Sequence, residues 1–299
     1  MRLPIILERT TQRSLRYSKV AWAHNFIEGC MGYSKMVVIF LDVLGSKNMK
    51  DFDIKFKIHN LFHGSIQDSQ RRQSSNDLSH VAYDRKLFSF SDCAFIFYFY
   101  KEGVSESRKD ANKLMSVALY NTSLLITKIM SEGFYVRGGA TYGDAFIDDV
   151  SFFGPAVDCA YYVESKLAQM PRLLIDPEIG SKQYEYETEV YARPQILQSL
   201  SRTKKRISTV VMREGSDYYL NALYHLEMEG TLMYEGEMLA LDSVKSSLIQ
   251  AINKDIEIHN EKEFPREFLK LSWLKKYTEN ASCCLKEDVC SYSETVRIS

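Results

Sequence analysis

Residues 37–48 read VVIFLDVLGSKN, an uninterrupted apolar run that stops at a carboxylate and a Leu-Gly turn. Val37 to Leu41 have the β-branched and aromatic content of a buried strand. A buried strand avoids Asp at its end, because a desolvated carboxylate is costly unless a cation or hydrogen bonds meet it. Asp42 therefore has two explanations. It caps the segment that follows, or it holds a metal ion.

The rest of the chain narrows the setting. Its 299 residues are 45% hydrophobic and 26% charged, enough for a sizeable core. A net charge of −1 gives no electrostatic reason to expect nucleic-acid binding. No apolar run approaches the roughly 20 residues needed to span a bilayer. The opening MRLPIILERTTQRSLRY has no signal-peptide core. Six cysteines without paired CxxC spacing or companion histidines read as reduced thiols. A soluble, cytoplasmic protein with neither nucleic-acid nor membrane partners is expected.

Periodicity supplies the element order. After the first strand, DFDIKFKIHNLFHGSI places Ile54, Ile58, Leu61 and Phe62 at helical spacing, and a polar stretch over 67–77 follows. KLFSF and CAFIFYFY flank Ser91-Asp92 as a hairpin with Asp92 at its tip. A long helix with Leu114, Ala118, Leu125 and Ile129 stops at Gly133. A glycine-rich strand FYVRGGATYGDAFI, a helix GPAVDCAYYVESKLAQ and a short strand RLLID come next. The order β-α-β-β-α-β predicts an α+β, ferredoxin-like antiparallel sandwich, four strands packing one face on two helices. Residues 235–264 and 265–280 read as two amphipathic helices, a helical C-terminal extension. The organisation expected is an arm (1–34), a catalytic-type domain (35–176), an extension continuing it (177–280) and a mobile tail (281–299). The basic segment 201–207, SRTKKRI, reads as a solvated surface turn.

Asp42 and Asp92 end neighbouring strands, since the first strand of such a sheet is central. Two converging carboxylates repel unless a cation lies between them. Hard oxygen ligands suit Mg²⁺ or Mn²⁺ carrying a triphosphate, and the carbonyl of Val43 can add another oxygen. Gly138-Gly139 is not followed directly by a helix, so it is no P-loop. Close backbone packing across a dimer is its expected role. Tyr33, just before the first strand, is the aromatic candidate for the nucleoside.

Four segments in order resemble the class III nucleotide cyclases, the adenylate and guanylate cyclase catalytic domain, over about residues 35–176. Phe40-Leu41-Asp42-Val43-Leu44-Gly45 matches the strand with the first metal-binding Asp, and Asp92 in SFSDCAFIF the second. Arg137, Gly139 and Gly143 match an R-x-G-x-x-x-G strand, and FGPAVDCAYYVES, residues 153–165, the helix that follows it. The resemblance implies a homodimer with shared sites, two divalent ions per site and a nucleoside triphosphate substrate. It implies that the helix opening at Gly154 lies away from Asp42 and Asp92 of its own chain and acts on the partner's substrate. The family's transition-state Asn falls on Asp158 and its phosphate-stabilising Arg on Tyr162; no motif assigns a replacement cation, and Arg137 is the candidate for it. The base-selecting positions fall on Phe88 and Ser151, which match neither the adenylate nor the guanylate pair. With a C-terminal helix containing KLSWLKKY, the chain is similar to the pyrimidine cyclases of the bacterial Pycsar anti-phage system. That implies cyclic CMP or cyclic UMP made from CTP or UTP, acting on a separate effector protein.

Overall fold

The structure, a computed structural model, describes residues 32–45, 50–74, 81–196, 208–234, 236–259 and 261–283, with backbone alone over 65–74. Most of the expected arm, the basic turn at 201–207 and the tail from 284 onward lie outside the described residues.

Strand β1 (Ser34–Val43) is an interior strand of the sheet, paired on both sides. Its apolar run does not alternate because both faces are covered. Val37, Ile39, Leu41 and Val43 point into a core with helices, while Met36, Val38 and Phe40 point into a second core on the other side. Helix α1 (Phe52–Ser74) follows and supplies Ile58 and Phe62 to the first core. It is longer than its apolar spacing suggests, running through most of the polar stretch at 67–77.

Strands β2 (Tyr83–Phe90) and β3 (Cys93–Tyr100) form the hairpin, joined by Ser91 and Asp92 alone. Ser91 takes φ +55°, the left-handed conformation that the first position of a tight two-residue turn requires. Helix α2 (Ala111–Ser131) is capped by Asp110, whose carboxylate accepts from the amides of Asn112 and Lys113. It ends at Gly133, φ +82°, with the amide of Phe134 bonded to the carbonyl of Ile129.

Strand β4 (Val136–Ile147) pairs with β1 on the side away from β3, so the order β2-β3-β1-β4 is that of a ferredoxin-like sheet. The fold is α+β, as expected, but the sheet does not stop at four strands. After the short β5 (Phe152–Phe153) and helix α3 (Pro155–Tyr162), strand β6 (Leu173–Ile175) pairs parallel to β4. Helix α4 (Pro177–Tyr191) leads on to β7 (Val211–Glu214) and β8 (Asp217–Leu220), which extend the sheet as β6-β8-β7. The second face is covered as well. Ala156, Val157 and Ala160 of α3 pack there on Phe40, Phe95 and Ala145.

Two glycines make that packing possible. A Cβ on Gly139 would stand 2.1 Å from the carbonyl oxygen of Ala160, and one on Gly143 would stand 3.3 Å from the Cβ of Ala156. Spaced four apart on the strand, they face two alanines spaced four apart on the helix. The close approach expected across a dimer is made within one chain by Gly139.

A short helix α5 (Tyr224–Glu229) and a hairpin of β9 (Thr231–Tyr234) and β10 (Glu237–Ala240) precede α6 (Leu241–Ile258) and α7 (Pro265–Asn280). Residues 237–240, expected as helix, pair instead as β10. Leu248 and Ile252 of α6 and Leu271 and Leu274 of α7 join the helix-side core. Among the described residues no helix is long and apolar enough to cross a membrane.

Candidate active site

Backbone register places the site. In β1, Asp42 stands opposite Cys93 of β3 on one side and Arg137 of β4 on the other. The amide of Val43 donates to the carbonyl of Asp92 at 3.0 Å, which ties the hairpin turn to the end of β1. Ligand atoms of Asp42, Asp92 and Cys93 consequently lie within 4.8 Å of one another. Asp42 shares the parity of Phe40 and Val38, so it projects on the α3 side of the sheet.

The thiol of Cys93 donates to Oδ1 of Asp42 at 3.2 Å. Burial first, and then the hydrogen bond and charge of Asp42, push its pKa upward, so it stays a neutral donor. Arg137 is held more firmly. Its Nε donates to Oε1 of Glu164 at 2.6 Å and its Nη2 also pairs with that oxygen, while Nη2 stands 3.7 Å from Oδ2 of Asp42. Glu164 comes from a single wide turn, Val163–Leu167, where the last turn of α3 opens into π geometry and buries the carboxylate.

That arrangement corrects one expectation. Gly154, with φ +131°, does sit at the far end of the sheet, packed on Ala145. Ala145 pairs with Ser34, eight positions along the strand from Asp42. From there α3 runs back along the sheet, and the turn that ends it delivers Glu164 to Arg137. The helix is thus not remote from the aspartates of its own chain.

The other sequence candidates divide into two groups. Phe88 lies on the same face as Asp42, its ring 5.0 Å from Phe152, which also meets Phe95 at 4.9 Å. Phe95 meets Phe40 at 4.5 Å with the rings tilted by 37°, so an aromatic layer adjoins the carboxylates. Ser151 is brought to that layer by its neighbour Phe152. Its amide and hydroxyl both donate to Asp148, and Lys86 bonds the carbonyl of Asp148 at 3.0 Å and Asp149 at 2.7 Å, fastening the loop to β2. Asp158 and Tyr162 stand one turn apart on the outer face of α3, both exposed, and no described contact joins them to Asp42. Tyr33 is about 30 Å of strand from Asp42, edge-on to Phe153 at 6.0 Å. One chain does not bring it to the carboxylates.

The donor set suits a hard divalent cation. Two carboxylates, those of Asp42 and Asp92, are offered together. The third member of the cluster, Cys93, donates its thiol hydrogen to Asp42. Sequence reasoning did not find Cys93 or give Glu164 a role. The only signal for either was its place within the matched segments, SFSDC and YVES.

No family model matches the chain, and no curated protein matches it. Solved structures do. The monomeric guanylyl cyclase domain of the RhoGC fusion protein from the aquatic fungus Blastocladiella emersonii is 14% identical, with a TM-score of 0.38 over 64% of this chain and 96% of that one. The guanylate cyclase domain of RhGC from Catenaria anguillulae, in complex with GTP, is 15% identical, with a TM-score of 0.36 over 64% and 97%. An adenylate/guanylate cyclase/hydrolase from Silicibacter pomeroyi is 11% identical, with a TM-score of 0.33 over 63% and 95%.

Proposed function

We propose that this chain is a nucleotide cyclase that converts CTP or UTP to the 3′,5′-cyclic nucleotide and pyrophosphate. The observation that supports it best is the convergence of Asp42 and Asp92, on a strand end and an adjacent hairpin turn, with ligand atoms within 4.8 Å. Asp42, Asp92 and the carbonyl of Val43 would hold two divalent ions, Mg²⁺ or Mn²⁺, which lower the pKa of the ribose 3′-hydroxyl and offset charge on the departing pyrophosphate. Cys93 and Arg137 fix the orientation of the Asp42 carboxylate from either side. Arg137 is the candidate for charge developing on the phosphate, with Glu164 setting its position. Asp158 and Tyr162, exposed on α3, would meet substrate held by the aspartates of a second copy, Asp158 bonding the ribose or a basic neighbour. Tyr33 remains a nucleoside candidate only across such a homodimer.

The preference for pyrimidines rests on Phe88 and Ser151. Phe88 offers a ring and no hydrogen-bonding group to a base edge, and the Ser151 hydroxyl is already bonded to Asp148. An anti-phage role, with the cyclic product acting on a separate effector, rests on the sequence resemblance alone. A second reading, a nucleotide-binding module without turnover, draws on the full engagement of Arg137 by Glu164. Incubation of the purified protein with Mn²⁺ and each of the four ribonucleoside triphosphates, with products identified by mass spectrometry, decides between them. Cyclic CMP or cyclic UMP supports the cyclase; bound but unchanged nucleotide supports the module.

A further inference from the structure

A cleft of about 400 Å³ opens between the turn that ends α3 and the first half of α7, beside Arg137. Its volume is in the range of small-ligand sites. Its lining includes Arg137, Lys166, Arg266 and Lys270 and no carboxylate. Arg137 is engaged by Glu164 and Asp42. Lys166, Arg266 and Lys270 make no ion pair within the described residues, although ten other ion pairs of Lys or Arg are formed there. Arg266 and Lys270 are one turn apart on α7, where like charges repel. Across the cleft Lys166 adds a third positive charge from a different element. Three cations lining one concavity, none of them in an ion pair among the described residues, have the electrostatics of a site for a multiply charged anion.

We propose that this cleft binds a phosphate-dense anion of two or more charges, held by Lys166, Arg266 and Lys270. Arg137 forms its inner wall and also touches Asp42, so the anion sits next to the carboxylate site without using the carboxylates. Two sources share this chemistry: the phosphates of a nucleotide handled at Asp42 and Asp92, and a separate phosphorylated effector. Binding itself does not depend on the cyclase reading.

The test is isothermal titration of the full chain with inorganic triphosphate in EDTA, so that no metal-held phosphate contributes. Saturable binding that weakens with added salt is expected. The double variant Lys166→Gln/Lys270→Gln, two surface changes whose fold is checked by circular dichroism, should bind roughly tenfold more weakly or worse. Asp42→Asn, which removes a negative charge beside Arg137, should bind at least as tightly as the wild type. Repeating the titration with Mn²⁺ and saturating 3′-deoxy-CTP, which lacks the hydroxyl needed for cyclisation, separates the sources. Mutual exclusion assigns the cleft to the nucleotide's own phosphates, and simultaneous binding assigns it to a separate effector. The proposal is overturned if the wild type shows no saturable binding, or if the double variant binds unchanged. Loss of binding in Asp42→Asn with retention in the double variant would also overturn it, by placing the anion at the carboxylates.

Discussion

Arg137 and Glu164, 27 residues apart, form an ion pair that locks the start of β4 to the turn closing α3, with Nε to Oε1 at 2.6 Å. The Glu164 side chain is 4% exposed and that of Arg137 23%. Through the same guanidinium the pair reaches Asp42, so one contact joins the sheet, the helix and the candidate metal ligand.

Removing one partner leaves the other mostly buried without its counter-charge. Glu164→Ala should cost about 3 kcal/mol, near the low end for a broken buried pair because Arg137 keeps Asp42 and some solvent. Glu164→Ala combined with Arg137→Met should recover part of that loss, since the stranded charge is gone. Urea denaturation measures both. A single variant as stable as the wild type would mean the pair does not hold the turn in place.

Gly139→Ala tests the strand–helix contact. The added methyl would meet the Ala160 carbonyl and the Glu164 amide, both backbone groups that cannot rotate away. Displacing α3 should cost about 3 kcal/mol, at the upper end for overpacking. Thermal unfolding reads it out. An unchanged midpoint would show that the helix has room to spare.

Glu187 should make stability pH-dependent. It is buried on α4, and its Oε2 accepts from the amides of Val210 and Val211. Burial raises its pKa from 4.5 to about 7. A carboxyl that is protonated in the folded state and ionised in the unfolded state binds more protons when folded. Its contribution is full below pH 4.5 and falls as pH rises to about 7, by roughly 3 kcal/mol in total. Urea denaturation between pH 5 and 7.5 should show the wild type losing stability relative to Glu187→Gln. Parallel pH profiles for the two proteins would remove Glu187 as the cause.

Much of this was legible in the sequence, and the parts that were not share a reason. The apolar run of β1, the Ser91-Asp92 turn and the Gly133 stop are local signals, and each predicted its element. Two-sided burial of β1 follows from where α3 packs, which no window of residues contains. Strands β7 and β8, at four residues each, are too short to show alternation, so the sheet was expected to end at four strands. The residues 237–240 look helical because they adjoin a strong helical pattern; pairing with Thr231–Tyr234 overrides it. Cys93 and Glu164 reach Asp42 and Arg137 through register and a widened turn, both set by tertiary structure.

The exposed face of α3 offers a test of shared sites. Asp158 and Tyr162 face solvent in one chain, so if they act on substrate they do so in a dimer. Asp42→Ala and Tyr162→Ala chains, each inactive alone, should regain about a quarter of wild-type activity on mixing, given statistical exchange and one complete site per mixed dimer. Verified mixed dimers with no activity would contradict a shared site.

The central claim is that Asp42 and Asp92 together hold the ions on a pyrimidine triphosphate. The most direct measurement is the rate of cyclic nucleotide formation from CTP and UTP across a Mn²⁺ titration, for the wild type, Asp42→Ala and Asp92→Ala. The wild type should form cyclic CMP or cyclic UMP faster than cyclic AMP or cyclic GMP, only with metal present. Each variant should fall by about a hundredfold or more at every metal concentration while keeping the wild-type fold. Normal turnover by either variant, or a purine product formed faster than both pyrimidine products, would contradict it.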